Sequence, residues 1–103
     1  MESPIVLLSG CVGFGEEYTR VEGFSNRDVG GVVLKGTTGD ARLGNPPHRV
    51  YETAMGMLNA IGLQNPGVET VVDEILPGLD FTETRFFANV SGSTIDEYER
   101  VTE

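Results

Sequence analysis

The chain has 103 residues, with 16 Asp and Glu against 7 Lys and Arg, and so carries a formal net charge of −9 at pH 7. That length holds one domain at most, and basic residues scattered singly from Arg20 to Arg100 exclude the clustered cationic face that a nucleic acid or an anionic membrane requires. Hydrophobic residues make up 39%, and the 14 glycines bring the apolar share to that of an ordinary folded domain rather than a disordered one.

The first apolar run, Ile5-Val6-Leu7-Leu8, is far short of the roughly 18–20 residues that cross a bilayer, and no basic segment precedes it. The expectation is a chain with neither membrane span nor signal peptide. Cys11 is the sole cysteine, so it has no internal disulfide partner and no metal-ligand spacing, which points to a reducing, cytoplasmic setting.

Three segments read as buried strands: Ile5–Ser9, Gly31–Lys35 and Arg85–Val90. The first two are continuous apolar runs, the pattern of strands covered on both faces in a parallel sheet. Amphipathic stretches at Glu16 to about Phe24, Val68 to about Leu76, and Thr94 onward predict helices, the last capped by Ser93 or Thr94 with Asp96 and Glu97 in its first turn. Between Gly36 and Pro66 runs a connection much longer than the usual 2–6 residues, broken by Asn45-Pro46-Pro47 and Asn65-Pro66, in which Val50–Met57 is a candidate short strand. The order β-α-β-loop-α-β-α implies an α/β fold with parallel strands joined by crossovers.

Glycines follow each strand: Gly10, Gly13 and Gly15, then Gly36 and Gly39, then Gly92. These are the carboxyl ends of the strands, where α/β sheets and barrels bind ligands. The last helix begins near Thr94 and the sequence stops at Glu103 without a helix-ending signal, while three parallel strands leave two open edges. Residues 1–103 are therefore expected to be the N-terminal part of one larger (β/α)₈ barrel domain, with about three of its strands and no second domain.

Among the motifs, Gly10-Cys11-Val12-Gly13-Phe14-Gly15 reverses the glycine order of a dinucleotide fingerprint, and Val32-Val33-Leu34-Lys35 lacks the companion motifs of a kinase. Lys35 is the most informative charge, because it closes an apolar strand and opens the loop Gly36-Thr37-Thr38-Gly39; an ammonium there stabilises an anionic ligand. Asn59-Ala60-Ile61-Gly62-Leu63-Gln64-Asn65-Pro66-Gly67 offers amide side chains and backbone N–H groups in a breaker-rich stretch, suited to a planar amide or carboxylate ligand or, more plainly, to stabilising turns. Cys11 without a partner His, and His48 without a partner nucleophile, give no catalytic mechanism, and Asn89-Val90-Ser91 matches a glycosylation triplet only by chance.

Taken in order, Leu8-Ser9-Gly10-Cys11-Val12-Gly13-Phe14-Gly15-Glu16-Glu17-Tyr18, Lys35-Gly36-Thr37-Thr38, Gly44-Asn45-Pro46-Pro47-His48-Arg49-Val50, Asn59-Ala60-Ile61-Gly62-Leu63-Gln64-Asn65-Pro66-Gly67 and Ala88-Asn89-Val90-Ser91-Gly92-Ser93 resemble the dihydroorotate dehydrogenase family, in its NAD-linked two-subunit class. The resemblance implies a (β/α)₈ barrel that oxidises dihydroorotate to orotate in pyrimidine biosynthesis using FMN. It implies that Ser9, Lys35, Gly36 and Asn89 approach FMN, and that Lys35, Asn59, Ala60, Ile61, Gly62 and Leu63 approach the substrate. It further implies an FAD and iron–sulfur partner subunit using NAD, and a homo-oligomer in the full enzyme. The family's cysteine base lies in an Asn-x-Ser-Cys-Pro-Asn segment that this sequence lacks, so no catalytic residue is assigned within 1–103 and the chain is expected to be inactive alone. Leu8 stands where the family usually has Ala, and Glu22–Asp28 looks like a small insertion. Two alternatives stand beside this expectation: a related flavin barrel such as dihydropyrimidine dehydrogenase, and a non-catalytic barrel module that self-associates through its strand edges.

Overall fold

In the computed structural model, which describes residues 3–103, three short strands form a parallel sheet: β1 (Val6–Leu7), β2 (Gly31–Val33) and, after an intervening hairpin of β3 (Val50–Thr53) and β4 (Gly56–Asn59), β5 (Phe86–Phe87). Their order is β1-β2-β5, with Val6 opposite Gly31, Leu7 opposite Val32, Val32 opposite Phe86 and Val33 opposite Phe87. All three lie within the expected strands. The pairing runs beyond them: Leu34 N–H donates to the Phe87 carbonyl at 2.9 Å, Thr37 N–H to Asn89 at 2.9 Å, and Ser91 N–H to Thr37 at 2.9 Å. The loops leaving β2 and β5 therefore stay side by side at the carboxyl end of the sheet.

Alternation along β2 sorts its side chains. Val32 (0% exposed) and Leu34 turn into a core with Phe14, Val29, Val71 and Leu79, while Val33 and Lys35 fall on the opposite face and are only half-buried. The continuous apolar run suggested strands covered on both sides. Among the described residues one side is packed, and Leu8 and Phe87 remain exposed.

Between β1 and β2 the expected helix from Glu16 to Phe24 is replaced by two single 3₁₀ turns, Glu17–Arg20 and Asn26–Asp28. Gly15 and Gly23 take φ of +86° and +84°, so right-handed helix cannot run through either, and the residues between them are too few for a stable α-helix. The second turn is fixed by a reciprocal cap: Ser25 Oγ accepts from Arg27 N–H at 3.2 Å, and Asp28 accepts from Ser25 N–H at 2.8 Å.

The long connection holds an antiparallel hairpin, β3 (Val50–Thr53) and β4 (Gly56–Asn59), where a short strand had been expected at Val50–Met57. The helix expected at Val68–Leu76 is present as α1 (Val68–Thr70), which widens into a π turn over Val71–Ile75 and tightens into a 3₁₀ turn at Leu76–Gly78. Helix α2 (Ile95–Thr102) follows β5 and is capped by Thr94, whose Oγ1 accepts from Glu97 N–H at 3.2 Å. Tyr98 keeps its ring against Gly92. No helix among the described residues is long and apolar enough to cross a membrane.

Candidate functional site

A cavity of about 710 Å³ opens at the carboxyl ends of all three parallel strands. Ser9 reaches it from beyond β1, Lys35 and Gly36 from beyond β2, and Asn89 from beyond β5. The hairpin supplies the facing wall through Val50, Met57 and Asn59, and Ala60–Leu63 closes the circuit back toward the sheet. Thus the nine positions singled out in the sequence, distributed from residue 9 to residue 89, line one cavity. Cys11 also lines it, whereas His48 lies on the exposed hairpin approach and does not.

Each wall has a distinct chemistry. On the sheet side, Asn89 Nδ2 donates to Ser9 Oγ at 2.7 Å, joining the ends of β1 and β5 across β2. Gly36 lies beneath this pair: a Cβ there would stand 3.0 Å from Ser91 Oγ and 3.5 Å from Asn89 Nδ2, so the absence of a side chain leaves a flat polar floor. Lys35, the chain's sole lysine, adds a cation, and its own N–H is tied to the Gly13 carbonyl at 2.9 Å, fixing the residue against the first loop.

On the opposite side, the backbone of Ala60–Leu63 is held by its carbonyls. Asn45 N–H donates to Ile61 O at 2.8 Å and Asn45 Nδ2 to Ala60 O at 2.8 Å, while Ala60 N–H donates to Arg49 O at 2.8 Å. Arg49 braces the same junction, its guanidinium donating to the carbonyls of Leu43 and Asn45, each at 3.2 Å, and to Gln64 Oε1. The N–H groups of Ile61, Gly62 and Leu63 have no acceptor among the described residues. Free amide donors, the Asn59 amide and the Lys35 ammonium around one cavity suit a planar ligand carrying carbonyl or carboxylate oxygens.

Residues that the sequence did not single out frame this wall. Val50 and Met57 enter it through strand alternation in the hairpin. Arg42 pairs backbone to backbone with Asn65, and its guanidinium lies 3.0 and 2.9 Å from the two Glu97 carboxylate oxygens of α2. The Ser93 amide, and with it Arg42 and the Gly39 amide, holds the Glu97 carboxyl below its ordinary range. An Arg followed later by a helical Glu is too common a pattern to have signalled the pair.

The family model for dihydroorotate dehydrogenase matches residues 1–103. The chain is 52% identical over 102 residues to the dihydroorotate dehydrogenase B (NAD(+)) catalytic subunit of Exiguobacterium sibiricum, covering 99% of this chain and 32% of that one. The like-named subunits of Oceanobacillus iheyensis and Bacillus caldolyticus are 50% and 48% identical, over 98% and 100% of this chain and 33% and 32% of theirs. The chain thus spans about a third of the length of the curated relatives it matches. A family match along the whole sequence, with a parallel sheet whose carboxyl ends share one polar cavity, places this chain in the dihydroorotate dehydrogenase family.

Proposed function

We propose that residues 1–103 supply part of the flavin and substrate site of an oxidoreductase that converts dihydroorotate to orotate, within a single (β/α)₈ barrel domain. The observation that carries this is the convergence of Lys35, Asn59 and the unpaired N–H groups of Ile61, Gly62 and Leu63 on one cavity. Orotate is a planar anion with a carboxylate and two ring carbonyls, so it needs donors from several directions and a cation. The two walls of this cavity together offer both.

FMN fits the sheet-side wall, where Gly36 leaves room that a Cβ would fill and where the linked amide of Asn89 and hydroxyl of Ser9 offer hydrogen bonds to a polar ring edge. When bound, FMN supplies the acceptor for the two electrons leaving the substrate. Lys35 stabilises negative charge developing between ring and substrate, Asn59 and the free amides orient the substrate, and Val50 and Met57 exclude water on the hairpin side. The general base is assigned to no residue of this chain. The relatives are named as catalytic subunits of an NAD(+)-linked enzyme, which supports an NAD-linked enzyme with a further subunit. A partner carrying FAD and an iron–sulfur cluster, and a cytoplasmic homo-oligomer, belong to the proposal through the family resemblance alone.

The test has two parts. Reading the coding DNA past the Glu103 codon is expected to continue in frame into an Asn-x-Ser-Cys-Pro-Asn segment and further βα units, and the protein so encoded is expected to oxidise dihydroorotate. Lys35→Ala is expected to lower that rate about 10²–10³-fold, the usual cost of removing one charge-stabilising group. For the 103-residue polypeptide, millimolar orotate is expected to shift the amide resonances of Asn59–Leu63 without turnover. Turnover by that polypeptide alone would refute the assignment of an incomplete site.

A second reading rests on exposed apolar residues of the sheet and hairpin, among them Leu8, Phe87, Tyr51 and Leu58. These favour self-association of the chain, and a monomer by size-exclusion chromatography at high concentration would remove it.

A further inference from the structure

Leu63 lines the cavity with φ of +54°, a left-handed conformation that crowds the Cβ of any residue but glycine, and Gly62 before it sits at +81°. Something must hold Leu63 there. The carbonyl of Leu63 accepts from Asn65 Nδ2 at 2.7 Å, and the second Nδ2 proton goes to Thr38 Oγ1 at 2.9 Å. Asn65 Oδ1 in turn accepts from Thr38 N–H at 3.1 Å and Gly67 N–H at 3.0 Å. Both donors and both lone-pair directions of this amide are therefore used, in a residue only 5% exposed.

Its partners are fixed in turn. Thr38 is fully buried, one residue past the point where the β2 and β5 loops pair at Thr37 and Val90. The backbone of Asn65 exchanges two hydrogen bonds with Arg42, at 2.9 and 3.0 Å, and the Arg42 guanidinium is gripped by Glu97 of α2. A rigid frame built from the sheet end and α2 thus ends in one amide hydrogen on the carbonyl of a strained, cavity-lining residue.

We propose that Asn65 is a positioning residue, which locks Leu63 in its left-handed conformation and so keeps the Ile61–Leu63 amides free for the substrate. The proposal rests on the substrate reading of this wall given above. Asn65→Asp tests it most directly, because the aspartate keeps the acceptor toward Thr38 and Gly67 but replaces the donor facing Leu63 with a repelling oxygen. The measurement is made on the full chain by NMR, with Leu63 Cα and Cβ shifts and its HN–Hα coupling reporting the backbone, and orotate as the probe.

In the native chain Leu63 is expected to report a left-handed backbone. In Asn65→Asp it is expected to relax to negative φ, with orotate affinity at least tenfold lower and the Asn89 side-chain amide signal unmoved. Thr38→Ser, which keeps the hydroxyl, is expected to behave as native. Val32 methyl signals report an intact core; should the aspartate disturb them, Thr38→Val loosens Asn65 without adding charge and is expected to move Leu63 in the same direction by less. A Leu63 that stays left-handed in a folded Asn65→Asp chain overturns the lock. Native amides at 59–63 that ignore orotate, while Leu63 still responds to Asn65→Asp, overturn the substrate reading and leave the lock standing.

Discussion

Val32→Ala is the sharpest test of which face of the sheet forms the core. Val32 is completely inaccessible, lies between Leu7 and Phe86 in the strand register, and would touch even a Cβ built on Gly15, 3.3 Å from its Cγ1. Removing two buried methyl carbons forfeits about 0.8 kcal/mol each in transfer free energy. A residual void of about 40 Å³ adds about 1 kcal/mol at ~24 cal/mol per Å³. The sum is roughly 2–3 kcal/mol, a large share of the ~5–15 kcal/mol of a small domain, and corresponds to a fall in melting temperature of roughly 10–20 °C. Urea unfolding followed by far-UV circular dichroism reads it without a tryptophan, which the chain lacks. Val33→Ala serves as the control: that residue is half-buried on the other face and is expected to cost less than half as much. Equal losses at the two positions, or a Val32→Ala cost below about 1 kcal/mol, would refute the assignment of the packed face.

Three further perturbations address other parts of the frame. Gly30→Ala would drive a Cβ into the Ser3 carbonyl, beside the 2.8 Å bond from Gly30 N–H to Ile5 O, so β1 must shift from β2; a loss of about 1–3 kcal/mol in urea unfolding is expected. Thr94→Ala removes the cap of α2 and is expected to cost about 1 kcal/mol, read as a lower urea midpoint, with Thr94→Ser near native. Because hydrogen bonds from Ser93, Arg42 and Gly39 lower the Glu97 pKa in the folded state, its charged form stabilises the fold above the ordinary glutamate pKa, and that contribution fades as pH falls through the lowered value. Glu97→Gln should therefore be less stable than native at pH 7, with the gap closing toward pH 3; a gap independent of pH in paired urea titrations would contradict this assignment.

The strands were legible because apolar runs such as Val32-Val33-Leu34 need no partner to be recognised, and Lys35 and Gly36 gained meaning from the place where the run stops. The stretch Glu16–Phe24 misled because its amphipathic period is genuine over a few residues, while the positive-φ glycines that forbid a helix, Gly15 before it and Gly23 within it, look like ordinary turn residues in a sequence. The hairpin was half visible: its two-residue turn, Ala54-Met55, lacks the Asn-Gly signature that announces such turns, so only one strand stood out. Asn65 stood out only as one amide in a breaker-rich stretch, its partners unforeseen, and the Arg42–Glu97 pair was invisible. Their roles depend on Thr38, 27 residues from Asn65, and on an ion pair spanning 55 residues, and periodicity carries no information about contacts at that range.

The cavity walls also differ in how soon they can exist. The β3–β4 hairpin closes over a two-residue turn, a local event of roughly 1–10 μs, and places Asn59 opposite Val50 before any distant pairing is needed. The sheet wall must wait for Val32 to find Phe86 across about fifty residues of intervening chain, and parallel pairings across such spans carry loop-closure entropy that slows them. In a refolding chain the hairpin itself is thus the local part of the cavity, while Leu63 is fixed only once Asn65 meets Thr38, and Ser9, Lys35 and Asn89 come together only when β5 docks on β2. A ligand held by both walls can bind only after that docking, and so reports completion of the fold rather than its beginning.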